Sequence, residues 1–161
     1  MIVVFVSFRE LNGNDLSWAG EEMNGIFNSL SKLEILSLAQ NRISSINYLA
    51  FSGVNSIRVM NLANNSLLSI QENPWLYMSN LEHLTLNVTT LMCDCSLGWL
   101  PVWLQNQPFG GETHGICAYP HSLQGLSIMD IPPLNFSCGV YIFLSSCLLL
   151  LFSSNYCLLG Y

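Results

Sequence analysis

The chain has 161 residues, a length that suits one compact domain. Apolar residues make up 51% and charged residues only 9%, which excludes intrinsic disorder because a disordered chain combines low hydrophobicity with high charge. Four Lys and Arg residues against ten Asp and Glu give a net charge of −6, so the chain lacks the basic patch with which a nucleic-acid-binding protein neutralises phosphates.

The first ten residues begin with an apolar run. This run has no basic flank and no small-residue cleavage site, both of which a secretory signal peptide requires. The sequence therefore predicts that residues 1–10 form a segment of their own ahead of the repeats, with a signal peptide as the alternative interpretation.

From residue 33 to residue 91 the chain repeats itself every 24 residues. The repeat follows the leucine-rich pattern L-x-x-L-x-L-x-x-N-x-L, whose period of about 20–29 residues includes this spacing. Three copies fill positions one, four, six, nine and eleven: Leu33, Leu36, Leu38, Asn41 and Ile43; Ile57, Met60, Leu62, Asn65 and Leu67; Leu81, Leu84, Leu86, Thr89 and Leu91. A partial copy with Leu11 and Leu16 precedes them, and Leu11 lies 27 residues ahead of Leu38.

The residue types explain how such repeats fold. Positions four and six alternate with outward positions on a short strand, so both side chains enter the core. The asparagine amide at position nine can satisfy buried backbone groups of neighbouring coils, and one coil cannot bury its apolar stripe unless others stack on it. The sequence therefore predicts an α/β solenoid over residues 11–91, a leucine-rich-repeat horseshoe segment with a parallel β-sheet and about 3.5 repeats.

The outward positions three, five and seven predict three rows on the concave face of this sheet. The rows contain Ile35, Val59 and His83; Ser37, Asn61 and Thr85; and Ala39, Ala63 and Asn87. They form a small, nearly uncharged surface, which is either a solvated structural face or a protein-binding face. At position two, Arg58 is expected between the carboxylates of Glu34 and Glu82.

Residues 92–138 predict a cap that covers the apolar end of the solenoid. One apolar helix face is indicated by the three- and four-residue spacing of Trp99, Leu100, Trp103 and Leu104. Four cysteines could hold this helix and the following loops in place: Cys93, Cys95, Cys117 and Cys138. Each bridge would close a loop of about 20 to 45 residues, which stabilises a fold by about 3–4 kcal/mol.

Zinc is the alternative ligand for Cys93, Cys95 and Cys117 together with His114, because three Cys and one His suffice for a structural site. The tight C-x-C spacing and the fourth cysteine favour disulfides, so no metal or other cofactor is predicted. Candidate catalytic side chains show no nucleophile–base arrangement: Asp94, Asp130, His83, His114 and His121. The chain is therefore predicted not to be an enzyme and to have no small-molecule substrate.

Three N-x-[ST] sequons support passage through the secretory pathway. Their asparagines are Asn64, Asn87 and Asn135. Asn87 is the preferred candidate for glycosylation because it belongs to an outward row.

The C-terminal tail, residues 139–161, carries no charge. Its 23 residues are enough for a membrane-spanning helix, which needs about 20. Polar residues dilute the tail, so it is either a membrane segment or an extension with no evolved fold.

Motifs in two regions resemble one family of cell-surface proteins. The first region has LNGNDLSW at 11–18 with EMNG at 22–25, and the second has LTLNVTTLMCDC at 84–95 with WLP at 99–101. These motifs are similar to those of the family with leucine-rich repeats and immunoglobulin-like domains, within the extracellular leucine-rich-repeat proteins that have a cysteine-rich C-terminal flank. The likeness covers residues 11–138.

This resemblance implies a single-pass cell-surface glycoprotein whose repeats bind growth-factor receptors and regulate their abundance or output. It implies a protein partner, in particular a cell-surface receptor, and a location at the cell surface or in the secretory pathway. It also implies that Cys93 pairs with Cys117 and Cys95 with Cys138.

The sequence departs from that family in four ways. It has no N-terminal cap, few repeats, no immunoglobulin-like domain after Cys138, and an apolar tail. In addition, Arg9 stands where the partial repeat should have a core leucine. We therefore expect a truncated form of the binding module, which either competes with a full-length relative or is an unstable read-through or fragment product without independent function.

Overall fold

Short parallel strands build the solenoid in the computed structural model, which describes residues 8–14, 16–17 and 25–138. The main sheet has the order β1-β2-β4-β6, with strands β1 Phe8–Glu10, β2 Ile35–Ser37, β4 Val59–Asn61 and β6 His83–Thr85. A second parallel pair lies farther along the coils: β3 Ser45–Ile46 and β5 Ser69–Ile70. The predicted fold class, a leucine-rich-repeat solenoid, is confirmed.

Register between strands follows the period of the sequence. Ile35 pairs with Val59, and Val59 pairs with His83, so each strand advances by one 24-residue coil. At the first strand, Phe8 pairs with Ile35 and Arg9 with Leu36. The described part of the sheet therefore includes Phe8–Glu10, inside the segment 1–10 that the sequence separates from the repeats.

The inward positions fill a continuous apolar core. Leu36, Leu38, Met60 and Leu62 have no solvent exposure, as their alternation with outward positions predicts. Burial of one such side chain contributes about 1.5–3 kcal/mol. The far side of the coils is filled by larger side chains, among them Trp75, whose indole Nε1 donates to the Met60 sulfur at 3.1 Å.

Two asparagines connect neighbouring coils through their side chains. Asn65 Nδ2 donates to the carbonyl oxygens of Leu38 and Leu62 at 3.0 and 2.8 Å, and Asn65 Oδ1 accepts from the backbone N–H of Ile43 at 3.1 Å. Asn41 repeats this arrangement one coil earlier. Both side chains are buried, which confirms the role predicted for position nine.

The third repeat does not continue this ladder, so the assignment of Thr89 to the asparagine position is wrong. Thr89 is exposed, because the chain turns one residue earlier than in the other coils. Asn87 at position seven has φ 43°, whereas Gln40 and Asn64 have φ 55° and 57° at position eight. Beyond this turn the chain enters the cap.

The cap packs a strand pair and a helix over the last coil. Strand β7, Val88–Met92, pairs in parallel with β8, Gly115–Tyr119. Helix α1, Trp99–Gln105, buries Leu100 and Leu104. Three short 3-10 helices follow at Gly110–Glu112, Ile128–Asp130 and Pro133–Asn135.

Aromatic rings join the cap to the repeats. The Trp103 ring in α1 stacks on Trp75 with centroids 5.3 Å apart, and Trp99 lies 6.1 Å from the same ring. Two disulfides, Cys93–Cys117 and Cys95–Cys138, tie the segments around α1 together, and they are the pairs that the family resemblance implies. Within the described residues, no helix is long and apolar enough to cross a membrane, and the tail 139–161 lies outside them.

Candidate protein-binding surface

The outward side of the main sheet carries an exposed apolar row, which we call the position-three row. It runs across all four strands, and its members are Phe8, Ile35, Val59 and His83. Phe8 is 51% exposed, Ile35 is 36% exposed, and Val59 is half-buried. Because neighbouring strands lie about 4.8 Å apart, the row extends over about 14 Å.

Sequence reasoning found three members of this row and missed Phe8. The signal was present, since the 27-residue distance from Leu11 to Leu38 puts Phe8 at position three of the partial repeat. Separating residues 1–10 from the repeats left it out. The pairing of Phe8 with Ile35 extends the row by one strand.

The position-five row, Ser37, Asn61 and Thr85, lies beside the first and is half-buried. Its polar groups are held in place by hydrogen bonds. Ser37 Oγ donates to Asn12 Oδ1 at 2.7 Å, and Asn61 Oδ1 accepts from the backbone N–H of Ala63 at 3.0 Å. The row is therefore a fixed polar strip along the apolar one.

The predicted third row is wrong for two of its three members. Ala39 and Ala63 are each only 7% exposed, whereas Asn87 is exposed. The side-chain oxygens of Asn12 and Asn61 bond to the N–H groups of these alanines at 2.9 and 3.0 Å, so the longer side chains lie over the short ones. The outward surface is consequently two rows wide.

A charged pair borders the position-three row. Arg58 Nε and Nη2 donate to the two carboxylate oxygens of Glu82 at 3.1 and 2.9 Å. This hydrogen bonding lowers the pKa of Glu82 and raises the pKa of Arg58, to which Glu34 adds a weaker charge attraction. The arginine thus pairs with one of its two predicted neighbours, and the pair lies directly ahead of strands β4 and β6.

The cap reaches the same surface at His83. Glu112, from the first 3-10 helix of the cap, places a carboxylate oxygen 3.7 Å from His83 Nδ1, and both side chains are exposed. The position-three row therefore meets an acidic group at its His83 end. The apolar Phe8 lies at the opposite end of the row.

The catalytic and zinc candidates have separate local roles. Asp94 accepts hydrogen bonds from the N–H and hydroxyl of Ser96, and His121 Nδ1 lies 3.0 Å from Gln124 Oε1. Cys93, Cys95 and Cys117 are in disulfides and so do not offer thiolates beside His114. Among the residues that the structure describes, no three His, Cys, Asp or Glu side chains are grouped as metal ligands.

The three sequon asparagines are all exposed. Asn64 and Asn87 lie where strands β4 and β6 end, and Asn135 ends the last 3-10 helix, three residues before Cys138. Glycosylation of these residues stays a prediction.

Comparison with known families and structures agrees with this architecture. A family model for leucine rich repeats matches residues 24–67, and one for the leucine rich repeat C-terminal domain matches residues 116–139. The chain resembles the crystal structure of human 5T4 (Trophoblast glycoprotein) with a TM-score of 0.63 at 21% identity, over 80% of this chain and 46% of that one. It also resembles a chain of the Drosophila Toll–Spatzle complex with a TM-score of 0.50 at 25% identity, over 69% of this chain and 16% of that one.

Sequence relatives are long proteins. Leucine-rich repeats and immunoglobulin-like domains protein 3 of Homo sapiens is 40% identical over 121 residues, which are 75% of this chain and 11% of the relative. Leucine-rich repeats and immunoglobulin-like domains protein 2 of Mus musculus is 38% identical over 125 residues, which are 78% of this chain and 12% of the relative. The chain thus spans about an eighth or less of the length of these relatives. It is a leucine-rich-repeat protein with a cysteine-rich C-terminal domain, related to the leucine-rich repeats and immunoglobulin-like domains proteins.

Proposed function

We propose that the outward face of the main sheet binds a protein partner, and that the chain is a non-catalytic binding module of a cell-surface regulator of growth-factor receptor signalling. The observation that carries this proposal is the position-three row. Phe8 and Ile35 are exposed side by side, Val59 beside them is half-buried, and polar and charged groups border all three. Contiguous apolar surface rimmed by polar residues is typical of protein interaction sites.

The rigidity of this face supports the same function. The hydrogen bonds of Ser37 and Asn61 orient the half-buried polar groups beside the apolar row. A pre-organised surface loses less conformational entropy when it binds. The Toll–Spatzle structure is a complex, so this fold is found in a protein assembly, and the related cell-surface proteins favour a receptor as the partner.

The two disulfides and the relatives support an extracellular or cell-surface location, because disulfides persist in oxidising compartments. Membrane anchoring by residues 139–161 is a further proposal, which rests on their length and lack of charge. Expression in secretory cells followed by separation of membrane and medium tests it. Protein found wholly in the medium would contradict the anchor.

The binding proposal is tested on the full chain with a panel of purified growth-factor receptor ectodomains, using an immobilised-receptor binding assay. We expect binding to one or more receptors, and Ile35→Asp to weaken it by at least about tenfold, since a carboxylate in an apolar contact loses its hydration. Tyr77→Asp is the matched control, because Tyr77 is 80% exposed and lies outside the sheet.

Unchanged binding of Ile35→Asp, or a loss no larger than that of Tyr77→Asp, would contradict the sheet face as the binding site. No binding to any receptor of the panel would contradict the growth-factor receptor proposal.

A further inference from the structure

A polar cleft lies at the edge of the main sheet where the strands end. It has a volume of about 630 Å³, and three successive coils line it: Gly13 and Asn14, then Gln40, Asn41 and Arg42, then Asn64. Its side chains are amides and one guanidinium. The cleft is open to solvent, and these side chains offer hydrogen-bond donors and acceptors.

Asn64 forms one wall of this cleft and belongs to the sequon Asn64-Asn65-Ser66. The two neighbouring asparagines have opposite environments. Asn65 is buried and uses its amide to join the coils, whereas Asn64 is exposed in the left-handed conformation, with φ 57°. A sugar attached to Asn64 Nδ2 would start at the cleft wall.

We propose that Asn64 carries an N-linked glycan and that the cleft holds its first N-acetylglucosamine residues. The hydroxyl and acetamide groups of this sugar both donate and accept hydrogen bonds, which is what amide side chains offer. The inference rests on the proposed secretory location, because N-glycans are added there.

Two side chains of the cleft are the main sugar contacts. Asn41 is committed to the coil ladder, since its amide bonds to the carbonyl oxygens of Leu11 and Leu38 and accepts from the N–H of Leu16. Gln40 and Asn14 are both exposed on the cleft wall. They are therefore the residues to vary.

Asn87 provides an internal comparison within the same molecule. It follows the neighbouring strand β6, is exposed, and also has a positive φ, but it does not line the cleft. A glycan on Asn87 should therefore be fully accessible, whereas one on Asn64 should be partly sheltered.

The test uses the full chain expressed in mammalian secretory cells. Glycopeptide mass spectrometry gives the occupancy of each sequon, and timed digestion with peptide N-glycosidase gives the rate of glycan release. In the native protein we expect the Asn64 glycan to be released about tenfold more slowly than the Asn87 glycan, the effect of one or two hydrogen bonds. After reduction and denaturation the two rates should be equal.

Gln40→Ala and Asn14→Ala should bring the native rate at Asn64 towards the rate at Asn87. An unoccupied Asn64 beside an occupied Asn87, or equal native rates, would overturn the cleft proposal and leave the secretory location standing. Slow release that persists in both variants would also overturn it. A chain secreted with no glycan on any sequon would overturn the cleft proposal alone, whereas an unglycosylated chain retained in the cytosol would contradict the location as well.

Discussion

Single side chains at adjacent positions have opposite surroundings in this solenoid. Leu62 is fully buried in the core, and the preceding Asn61 faces outward with its side-chain oxygen bonded to the N–H of Ala63. This alternation is the basic property of a strand. It makes the effect of a substitution depend on the register of the repeat.

Leu62→Asp should therefore prevent folding, whereas Asn61→Asp should change the free energy of unfolding little. An unpaired carboxylate in the core is very costly, but Asp at position 61 keeps the acceptor oxygen that Ala63 uses. Secreted yield and urea unfolding measure both effects. Similar yields of the two variants would show that the register is shifted by one residue.

Asn65→Ala should lower the free energy of unfolding by at least about 2 kcal/mol. It leaves the Leu62 carbonyl and the Ile43 N–H without their side-chain partner in a buried place, while the Leu38 carbonyl keeps its hydrogen bond from Asn41. Each group left without a partner costs about 1–3 kcal/mol. Asn64→Asp is the control. Asn64 is the exposed neighbour of Asn65 and has a left-handed conformation, which Asp also tolerates. Urea titration of both variants measures the free energy of unfolding. Equal values for the two variants would contradict the role of the Asn65 side chain in joining the coils.

At the scale of elements, neighbouring strands and the cap are held together by contacts that link residues far apart in sequence. Arg58 and Glu82 join strands β4 and β6, and the disulfides join β7 to β8 and the start of α1 to the chain after the last 3-10 helix. The ion pair responds to pH, whereas the disulfides respond to redox state.

The Arg58–Glu82 pair should make stability depend on pH in the acid range. The pKa of Glu82 is lower in the folded state than in the unfolded chain, so the unfolded chain binds more protons as the pH falls. The contribution is present above the ordinary Glu pKa and is lost as the pH falls through the lowered folded-state value. Thermal unfolding midpoints are measured between pH 2.5 and 7. As the pH falls, the midpoint of the wild type and of Glu34→Gln should decrease slightly more than the midpoint of Glu82→Gln. The same pH profile for wild type and Glu82→Gln would contradict this assignment.

The cap disulfides should be found as Cys93–Cys117 and Cys95–Cys138 in secreted protein. Asp94 allows a direct test, because cleavage before this aspartate separates Cys93 from Cys95. Digestion with an aspartate-specific protease in denaturant, without reduction, should then give one linked product, in which peptide 94–129 is joined both to the peptide that ends at Cys93 and to the peptide that contains Cys138. Cross-pairing of Cys93 with Cys138, or free thiols at Cys93 and Cys95, would contradict the structure of the cap.

At the scale of the whole molecule, the two ends of the described solenoid differ. The C-terminal end is covered by α1, β8 and two disulfides. At the other end, β1 is the outermost strand among the residues that the structure describes, and its three residues are exposed. Arg9 occupies the inward position of this strand, paired with Leu36. An exposed strand edge can pair with another chain unless charges oppose it.

We expect the chain to self-associate through β1. Phe8→Lys should reduce the association, because lysine on an edge strand opposes edge-to-edge pairing. Tyr77→Lys is the control, since it adds the same charge at an exposed aromatic residue away from the sheet. Light scattering on the three proteins measures the mass. A monomeric wild type, or equal reduction by both variants, would show that β1 does not mediate association.

The sequence by itself determined the parts of this protein that depend on a local period. The 24-residue spacing defined the register of β2, β4 and β6, the inward leucines and the coil-joining role of Asn41 and Asn65. It also indicated the apolar helix of the cap. These features are readable because each side chain's direction is fixed by its own strand or helix and by its position in the repeat.

Only the tertiary structure decided the features that depend on neighbouring coils. The burial of Ala39 and Ala63 beneath Asn12 and Asn61 and the early turn at Asn87 are examples. The cleft beside Asn64 is another, since its walls come from three coils. Each of these features arises where side chains from different coils meet. A repeat pattern specifies the direction in which a side chain points, but it does not specify whether a residue of the neighbouring coil buries that side chain.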